Sequence, residues 1–300
     1  MNYLSIDVGG TFTKYGLIDH SGNFVDRWQL PSTKNLDDFK IQIKAQIQAY
    51  ESQIKGLAIS CPGKINSVQG MIETGGALTY LAGFNIRPWI QTFTDLPFAI
   101  INDRKAAALA EWWIGELKGI ENAAAIVLGT GVGGGFILDN QLYQGPHFQA
   151  GELSFLIHSI DENNQAESYG MRGSAVHFIH TAAQILQLED NDFEGVFEEI
   201  IRGRDEELTS HFYRYCQDIA RLIINLQSTL DLEKVVIGGG ISEQDILIQG
   251  IIAHYHDLRS KIPWLAETFA PIEILACAYR NSANLLGALY QLFLNLENEV

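Results

Sequence analysis

Residues 4–19, LSIDVGGTFTKYGLID, decide the fold. A short apolar run ends in Asp7, a Gly-Gly-Thr turn follows, and a second apolar run begins at Thr13. Gly9 and Gly10 carry no β-carbon, so their N–H groups can close on an anion at short range. Asp7, at the strand end, can hold a cation through its waters. Phosphate with magnesium is the economical reading of the two together. The run from Thr13 to Asp19 reads as a strand, so the unit is a β-hairpin. A P-loop requires Gly-x-x-x-x-Gly-Lys-Ser/Thr, and a dinucleotide fold requires Gly-x-Gly-x-x-Gly opening a helix. This first turn carries neither pattern.

A second strand-turn-strand unit, AIVLGTGVGGGFILD at 125–139, lies on the first without a gap. Gly9 falls on Gly129, Leu17 and Ile18 fall on Ile137 and Leu138, and Asp19 falls on Asp139. This reads as an internal duplication. In that register Asp7 falls on Val127, so only the first unit carries the cation carboxylate. A third glycine turn, 238–240, interrupts KVVIGGGIS at 234–242. Ordinary hairpin turns would account for one such motif. Three glycine turns at strand ends, at 9–10, 129–135 and 238–240, predict a nucleotide held in a cleft between two lobes.

The chain has 300 residues, enough for two domains or one large one. Its net charge of −16 argues against a nucleic-acid backbone or an anionic membrane as partner. ATP stays compatible with that charge, because glycine turns and Mg²⁺ supply a local positive field. Cys61, Cys216 and Cys277 lie far apart, in no metal-type spacing, which points to a reducing cytoplasm. The first strand is expected from about Tyr3, with no signal segment ahead of it. No apolar run is long enough to span a bilayer.

Between the turns, Phe39, Ile43, Ile47 and Tyr50 recur on one face and predict a helix over 36–52. Strands are expected at 56–61, stopped by Pro62-Gly63, and at 97–102, stopped by Asn102-Asp103. The Ala-rich stretch 106–117 predicts a helix. Residues 159–170 read as a loop, 173–230 as mostly helical, and 283–294 as an apolar helix. The order predicts open mixed sheets with helices against them. Asp103 reads as a helix N-cap and, without conflict, as a carboxylate able to take a proton from a sugar hydroxyl. Glu152, in Ala150-Gly151-Glu152, reads either as solvated or as an acceptor for two sugar hydroxyls. His177 and His180 read as a surface or core pair, and Trp112 and Trp113 as packing residues.

Together these motifs resemble the ROK family (repressors, open reading frames and kinases) of the actin-like ATPase superfamily. The resemblance runs from Asp7-Val-Gly-Gly-Thr11 to Asn284-Leu-Leu-Gly-Ala288. It implies an α/β fold of the two-lobed actin-like ATPase (ribonuclease H-like) type, with duplicated mixed sheets, flanking helices and a cleft between lobes. The first lobe is expected over 1–117, with the C-terminal helix 283–300 packing back on it, and the second over 118–282. The implied activity is ATP-dependent phosphorylation of a sugar hydroxyl, typically O6 of a hexose, by a homodimer. By the same carry-over Asp103 is the general base and Asn102 a sugar ligand. Glu152 grips sugar hydroxyls near the anomeric end, and Gly63 and Gly76 approach the sugar through backbone. Asp7 handles Mg²⁺ through water. Gly9, Gly10, Thr11, Gly129, Thr130, Gly131, Gly133, Gly238, Gly239 and Gly240 hold the phosphates and adenosine of ATP.

The chain departs from the family pattern in three places. The family's Gly-Glu-Ile-Gly-His is here Gly151-Glu-Leu-Ser-Phe155, so Phe155 replaces a zinc-binding, sugar-contacting histidine. The zinc box falls on Glu167-Ser-Tyr-Gly-Met-Arg-Gly-Ser-Ala-Val176, where Glu167, Tyr169 and Ser174 replace thiolates and Val176 a sugar-binding glutamate. No structural zinc is expected, and the pocket wall is expected to be less polar. Arg104 and Lys105 follow the base, where the family has Ala-Asn, and are expected to alter its support. The pattern looks most like kinases of β-glucosides or related hexoses. Glucose, fructose and N-acetylmannosamine remain open as acceptors. A non-catalytic sugar-responsive regulator is the alternative, disfavoured because no DNA-binding segment is expected ahead of the first strand. A polymerising ATPase is disfavoured by the Glu152 loop.

Overall fold

The computed structural model describes residues 1–190 and 192–298. In chain order it opens with strands β1 (Asn2–Val8), β2 (Phe12–Asp19) and β3 (Phe24–Pro31), helix α1 (Leu36–Tyr50) and strand β4 (Ile54–Cys61). Short strands β5 (Ile65–Asn66), β6 (Met71–Ile72) and β7 (Phe84–Asn85) and helix α2 (Ile86–Ile90) lead to β8 (Phe98–Asn102) and α3 (Asp103–Ile114). Strands β9 (Ala123–Leu128), β10 (Val132–Leu138), β11 (Gln141–Tyr143), β12 (Ile157–Ile160) and β13 (Ala166–Ser168) follow. Helices α4 (Tyr169–Arg172), α5 (Ala175–Leu186), α6 (Phe193–Arg202) and α7 (Glu206–Leu230) precede β14 (Lys234–Gly238). The chain ends with α8 (Asp245–Lys261), α9 (Pro263–Thr268), β15 (Glu273–Ala276) and α10 (Ala283–Asn298).

These elements form two units. The first takes residues 1–118, 142–150 and the segment from Asn281 onward; the second takes 119–141 and 151–280. Each unit is built on a five-stranded sheet, with order β3-β2-β1-β4-β8 in the first and β11-β10-β9-β14-β15 in the second. In both, the hairpin is antiparallel and the next two strand pairings are parallel.

Alternation along β1 arranges the first unit. Leu4, Ile6 and Val8 enter a core with Phe39, Ile43 and Ile47 of α1. Tyr3, Ser5 and Asp7 point to the other face, where α10 lies. The Tyr3 ring meets Phe293 edge-on at 4.9 Å, and Ser5 Oγ donates to Leu285 O at 2.6 Å. Helix α10 also packs on α3, and a β-carbon on Gly287 would come within 1.7 Å of Ala106 O. Trp113 stacks on Tyr290 at 5.2 Å, which accounts for its place on α3. In the second unit, Phe178 of α5 stacks on Tyr215 of α7 at 4.5 Å.

The structure revises four local expectations. The helix after β8 begins at Asp103 and ends at Ile114, three residues ahead of the expected span at both ends. Asn102 supplies its cap, accepting from the N–H groups of Arg104 and Lys105 at 3.0 and 3.2 Å, so Asp103 is not the N-cap. Residues 159–170 are not a loop: β12 pairs with β13, and α4 starts at Tyr169. The gapless duplication also fails. Val8 pairs with Thr13, but Leu128 pairs with Val132, so the second connection is one residue shorter. Paired positions sum to an odd number in one hairpin and an even number in the other, and no single offset preserves both registers.

Candidate functional site

In the first unit the candidate residues gather at the carboxyl ends of three parallel strands. Asp7 of β1 is in register with Ser60 of β4, and Cys61 with Asn102 of β8. Neighbouring strands are roughly 5 Å apart, so Asp7 and Asn102 stand about two such steps from each other. Such strand ends are where open α/β sheets bind ligands.

Asp7 is buried. Its Oδ1 accepts from Ser60 Oγ at 2.7 Å and from Asn284 Nδ2 at 3.1 Å, and Lys14 Nζ lies 3.9 Å from Oδ2. Burial raises its pKa above the usual carboxylate value, against the lowering effect of Ser60, Lys14 and Asn284. Cation binding would favour the charged carboxylate that burial disfavours, and as an oxygen donor Asp7 fits a hard cation that keeps most of its own waters. At the adjoining turn the Gly9 N–H donates to Phe12 O at 3.2 Å and is used inside the turn. A β-carbon on Gly9 would approach Phe12 O to 2.8 Å, whereas one on Gly10 would meet open space. Gly10 and Thr11 are the exposed residues of the turn.

Asn102 also orients Asp103. Its Nδ2 donates to Gly63 O at 2.9 Å and to Asp103 Oδ1 at 3.0 Å, and Arg104 N donates to the same oxygen at 2.8 Å. Gly63 (φ +92°) and Gly76 (φ +57°) hold left-handed backbone. A β-carbon on Gly63 would sit 2.1 Å from Thr74 O, so only glycine allows the two segments to meet. Asn102, Asp103, Gly63 and Gly76 therefore form one constellation. Behind it, burial raises the Cys61 thiol pKa well above its ordinary value, with the charges of Asp103 and Asp7 adding to the effect.

In the second unit the turn after β9 spans Gly129–Gly131, and the Gly129 N–H donates to Gly131 O at 3.0 Å. Gly133 lies inside β10, buried and paired with Val127, outside the turn. Gly239 (φ +97°) follows β14, and a β-carbon there would fall 1.9 Å from Leu128 O. The second and third glycine turns thus touch. Ala175 N, opening α5, donates to Gly129 O at 2.9 Å. An apolar slot of about 190 Å³ opens here, lined by Leu128, Val176, Ile179, Phe193, Gly240 and Ile241. A larger concavity, about 460 Å³ and lined by Glu206, Arg214 and His254 among others, involves none of the candidate residues.

Glu152 is partly buried on the segment after Gly151. Gly151 (φ +88°) lies against β10: Gly134 N donates to its carbonyl at 2.8 Å, and a β-carbon would strike Gly134 O at 2.1 Å. Ser154 Oγ bonds both the N–H and the carbonyl of Val132, at 2.9 and 2.8 Å. Phe155 is 77% exposed. The residues aligned with the zinc box have other partners. Glu167 accepts from Arg172 and Ser159, each at 2.7 Å, and the Arg172 bond holds its carboxyl below the usual range. Ser174 caps α5, accepting from His177 N at 3.0 Å, and Tyr169 is buried. Among the described residues no group of three His, Cys, Asp or Glu side chains is placed to hold a metal ion, and no helix is long and apolar enough to cross a membrane.

Sequence reasoning missed Lys14, Asn284, Ser60 and the slot residues Ile179, Phe193 and Ile241. Lys14 had a signal, since it stands opposite Asp7 across the β1–β2 hairpin. Asn284 lies 277 residues from Asp7, and nothing local announces that contact.

Two sheets of one strand order, each ending in glycine turns at parallel strand ends, define a two-lobed actin-like ATPase fold. The ROK family matches residues 3–294, and the chain belongs to it. The chain is 29% identical over 308 residues to a β-glucoside kinase of Listeria monocytogenes, covering 99% of each. It is 29% identical over 296 residues to an N-acetylmannosamine kinase of Escherichia fergusonii, covering 96% of this chain and 97% of that one. A ROK family protein from Streptococcus pneumoniae, solved in complex with sucrose, superposes with a TM-score of 0.89 at 26% identity, covering 99% of this chain and all of the other.

Proposed function

We propose that this sugar kinase transfers the γ-phosphoryl group of ATP to O6 of a hexose or hexoside, with a β-glucoside as its preferred acceptor. Asp103 is the general base. Its carboxylate takes the proton of the acceptor hydroxyl as that oxygen bonds to the γ-phosphorus and the bond to the ADP oxygen breaks. Strong basicity is not required of the group in this role, because phosphoryl transfer relies on positioning and charge neutralisation. Asn102 holds Asp103 Oδ1 and the Gly63 carbonyl together. It thereby sets the base against a backbone wall made by Gly63 and Gly76. Asp7 is the residue that would hold Mg²⁺, through water. Bound there, the ion would neutralise the phosphate charge that develops in the reaction.

Gly10 and Thr11, with Lys14 nearby, suit the phosphate end of ATP. Thr130, Gly131 and the 238–240 turn suit its remaining phosphates, and the apolar slot at Phe193 and Ile241 suits the adenine ring. Glu152 suits a pair of sugar hydroxyls. The preference for a glycoside rests on Phe155, apolar and exposed where the family resemblance carries a histidine. It is supported by the full-length likeness to β-glucoside kinases and to a neighbour crystallised with a disaccharide.

The observation that carries the reading is the Asn102–Asp103–Gly63 constellation at the end of β8. A coupled ADP-release screen over free hexoses, amino sugars and β-linked glucosides tests it. The expected result is sugar-dependent turnover with the highest kcat/KM on a β-glucoside. Sugar binding without turnover would favour a regulator, and sugar-independent ATP use would overturn the acceptor class. A homodimer in the cytoplasm completes the proposal, and sedimentation measures the first part.

A further inference from the structure

The helix that begins with Asp103 carries a residue that breaks two local rules and bonds a residue that breaks a third. Lys105 is the third residue of α3 and is only 2% exposed. A buried ammonium loses its hydration, and a cation in the first helical turn opposes the macrodipole. Its Nζ donates to Phe148 O at 2.7 Å. Phe148 is itself left-handed (φ +56°), a conformation that bulky side chains rarely adopt. Unfavourable choices concentrated at one contact mark a position kept for something other than stability.

The contact joins α3 to an excursion of the chain. Residues 142–150 belong to the first unit, although the segments on both sides belong to the second. Within the excursion Ala150 N donates to Gln144 O at 3.2 Å, and Phe148 N to Gly145 O at 3.2 Å, closing a compact strap. Bonds from two described residues fasten it to the rest of the first unit. Lys105 holds Phe148, and the buried Ser67 donates to Gln144 Oε1 at 3.2 Å. The strap meets the base-bearing turn of α3 at Phe148 and ends two residues before Glu152.

We propose that the strap 144–150 is a wall of the acceptor site and that Lys105 is its clasp, a positioning residue for the sugar. The inference rests on the kinase reading above. Lys105 sets where the Phe148 carbonyl lies and so orders the segment that leads into Gly151-Glu152. The phosphate turn at Gly10 and Thr11 has no part in this contact, so ATP binding is independent of the clasp.

Steady-state kinetics with acceptor and ATP varied separately test the proposal. Lys105→Met keeps the length of the side chain and removes the donor. It should raise the acceptor KM about tenfold or more, the scale of an ångström-sized misplacement, and leave the ATP KM within about twofold. Ser67→Ala, at the other anchor, should shift the acceptor KM in the same direction by a smaller factor. An unchanged acceptor KM in folded Lys105→Met, or acceptor and ATP KM rising together, overturns the clasp. Should Lys105→Met fail to fold, Ser67→Ala decides, and an unchanged acceptor KM there overturns it. Absence of sugar phosphorylation by the unmodified protein would sink the kinase reading itself. Turnover by the unmodified protein with unmoved variants sinks only the clasp.

Discussion

The two hairpins share a backbone plan and differ in chemistry. Each leads into parallel strands of a five-stranded sheet, and in each the leading glycine uses its N–H inside the turn. The first turn is backed by ionic and polar groups: Asp7 beneath it, Lys14 opposite, and the neutral donors Asn284 and Ser60. The second has Val127 at the position aligned with Asp7 and opens on an apolar slot. One plan therefore carries two chemistries, a charged and hydrogen-bonded setting in the first unit and an apolar slot in the second. A glycine turn alone indicates neither. The residue two positions before it and the element packed over it decide.

Breaking the charged side should have the largest effect. Asp103→Asn should lower kcat by about 10²–10⁴, the range of a lost general base, while calorimetry finds ATP binding nearly unchanged. Near-normal turnover would remove Asp103 from the base role. Breaking the close approach in the second unit comes next. Gly239→Ala places a β-carbon on Leu128 O in left-handed backbone, and should cost about 1–3 kcal/mol in denaturant melts while raising the ATP KM. The slot itself is probed by Phe193→Ala. It should weaken ATP binding by about tenfold, or about 1.4 kcal/mol, with kcat at saturating ATP preserved.

Asp7 sharpens the comparison through pH. Its pKa is raised in the folded protein, so the protonated folded form is favoured. That stabilisation is complete below the ordinary value of 3.8 and is lost as pH rises through the folded value. At neutral pH, without nucleotide or metal, Asp7→Asn should therefore raise the thermal midpoint even as it lowers turnover. The gain should vanish at pH values below that of a free aspartate. A fall in the midpoint at neutral pH would mean that Ser60, Asn284 and Lys14 outweigh burial. The smallest effect is expected from a chelator, which should leave the midpoint of the nucleotide-free protein unmoved.

Much of the site is legible in the amino-acid sequence. Hairpin turns, helix faces and the Asn102-Asp103 junction are local, set by glycine's freedom at positive φ and by the period of apolar residues. That locality is why α1 appears where Phe39, Ile43 and Ile47 recur, and why the motifs point to the ROK family. The misreadings are local as well. Asn102 and Asp103 are both good caps, and only the settled helix start chooses between them. A one-residue difference in turn length is invisible to an alignment of apolar runs, because strand registers are set by pairing.

The chain's own order of residues determined the turns, the candidate base and the family. Tertiary structure alone decided which partners reach them: Asn284 on Asp7, Phe148 on Lys105, Phe193 in the slot, Ala106 against Gly287. The reason is physical. A residue's conformational preferences lie in its own atoms and those of its near neighbours, whereas burial brings together apolar faces that carry no record of which distant face they will meet.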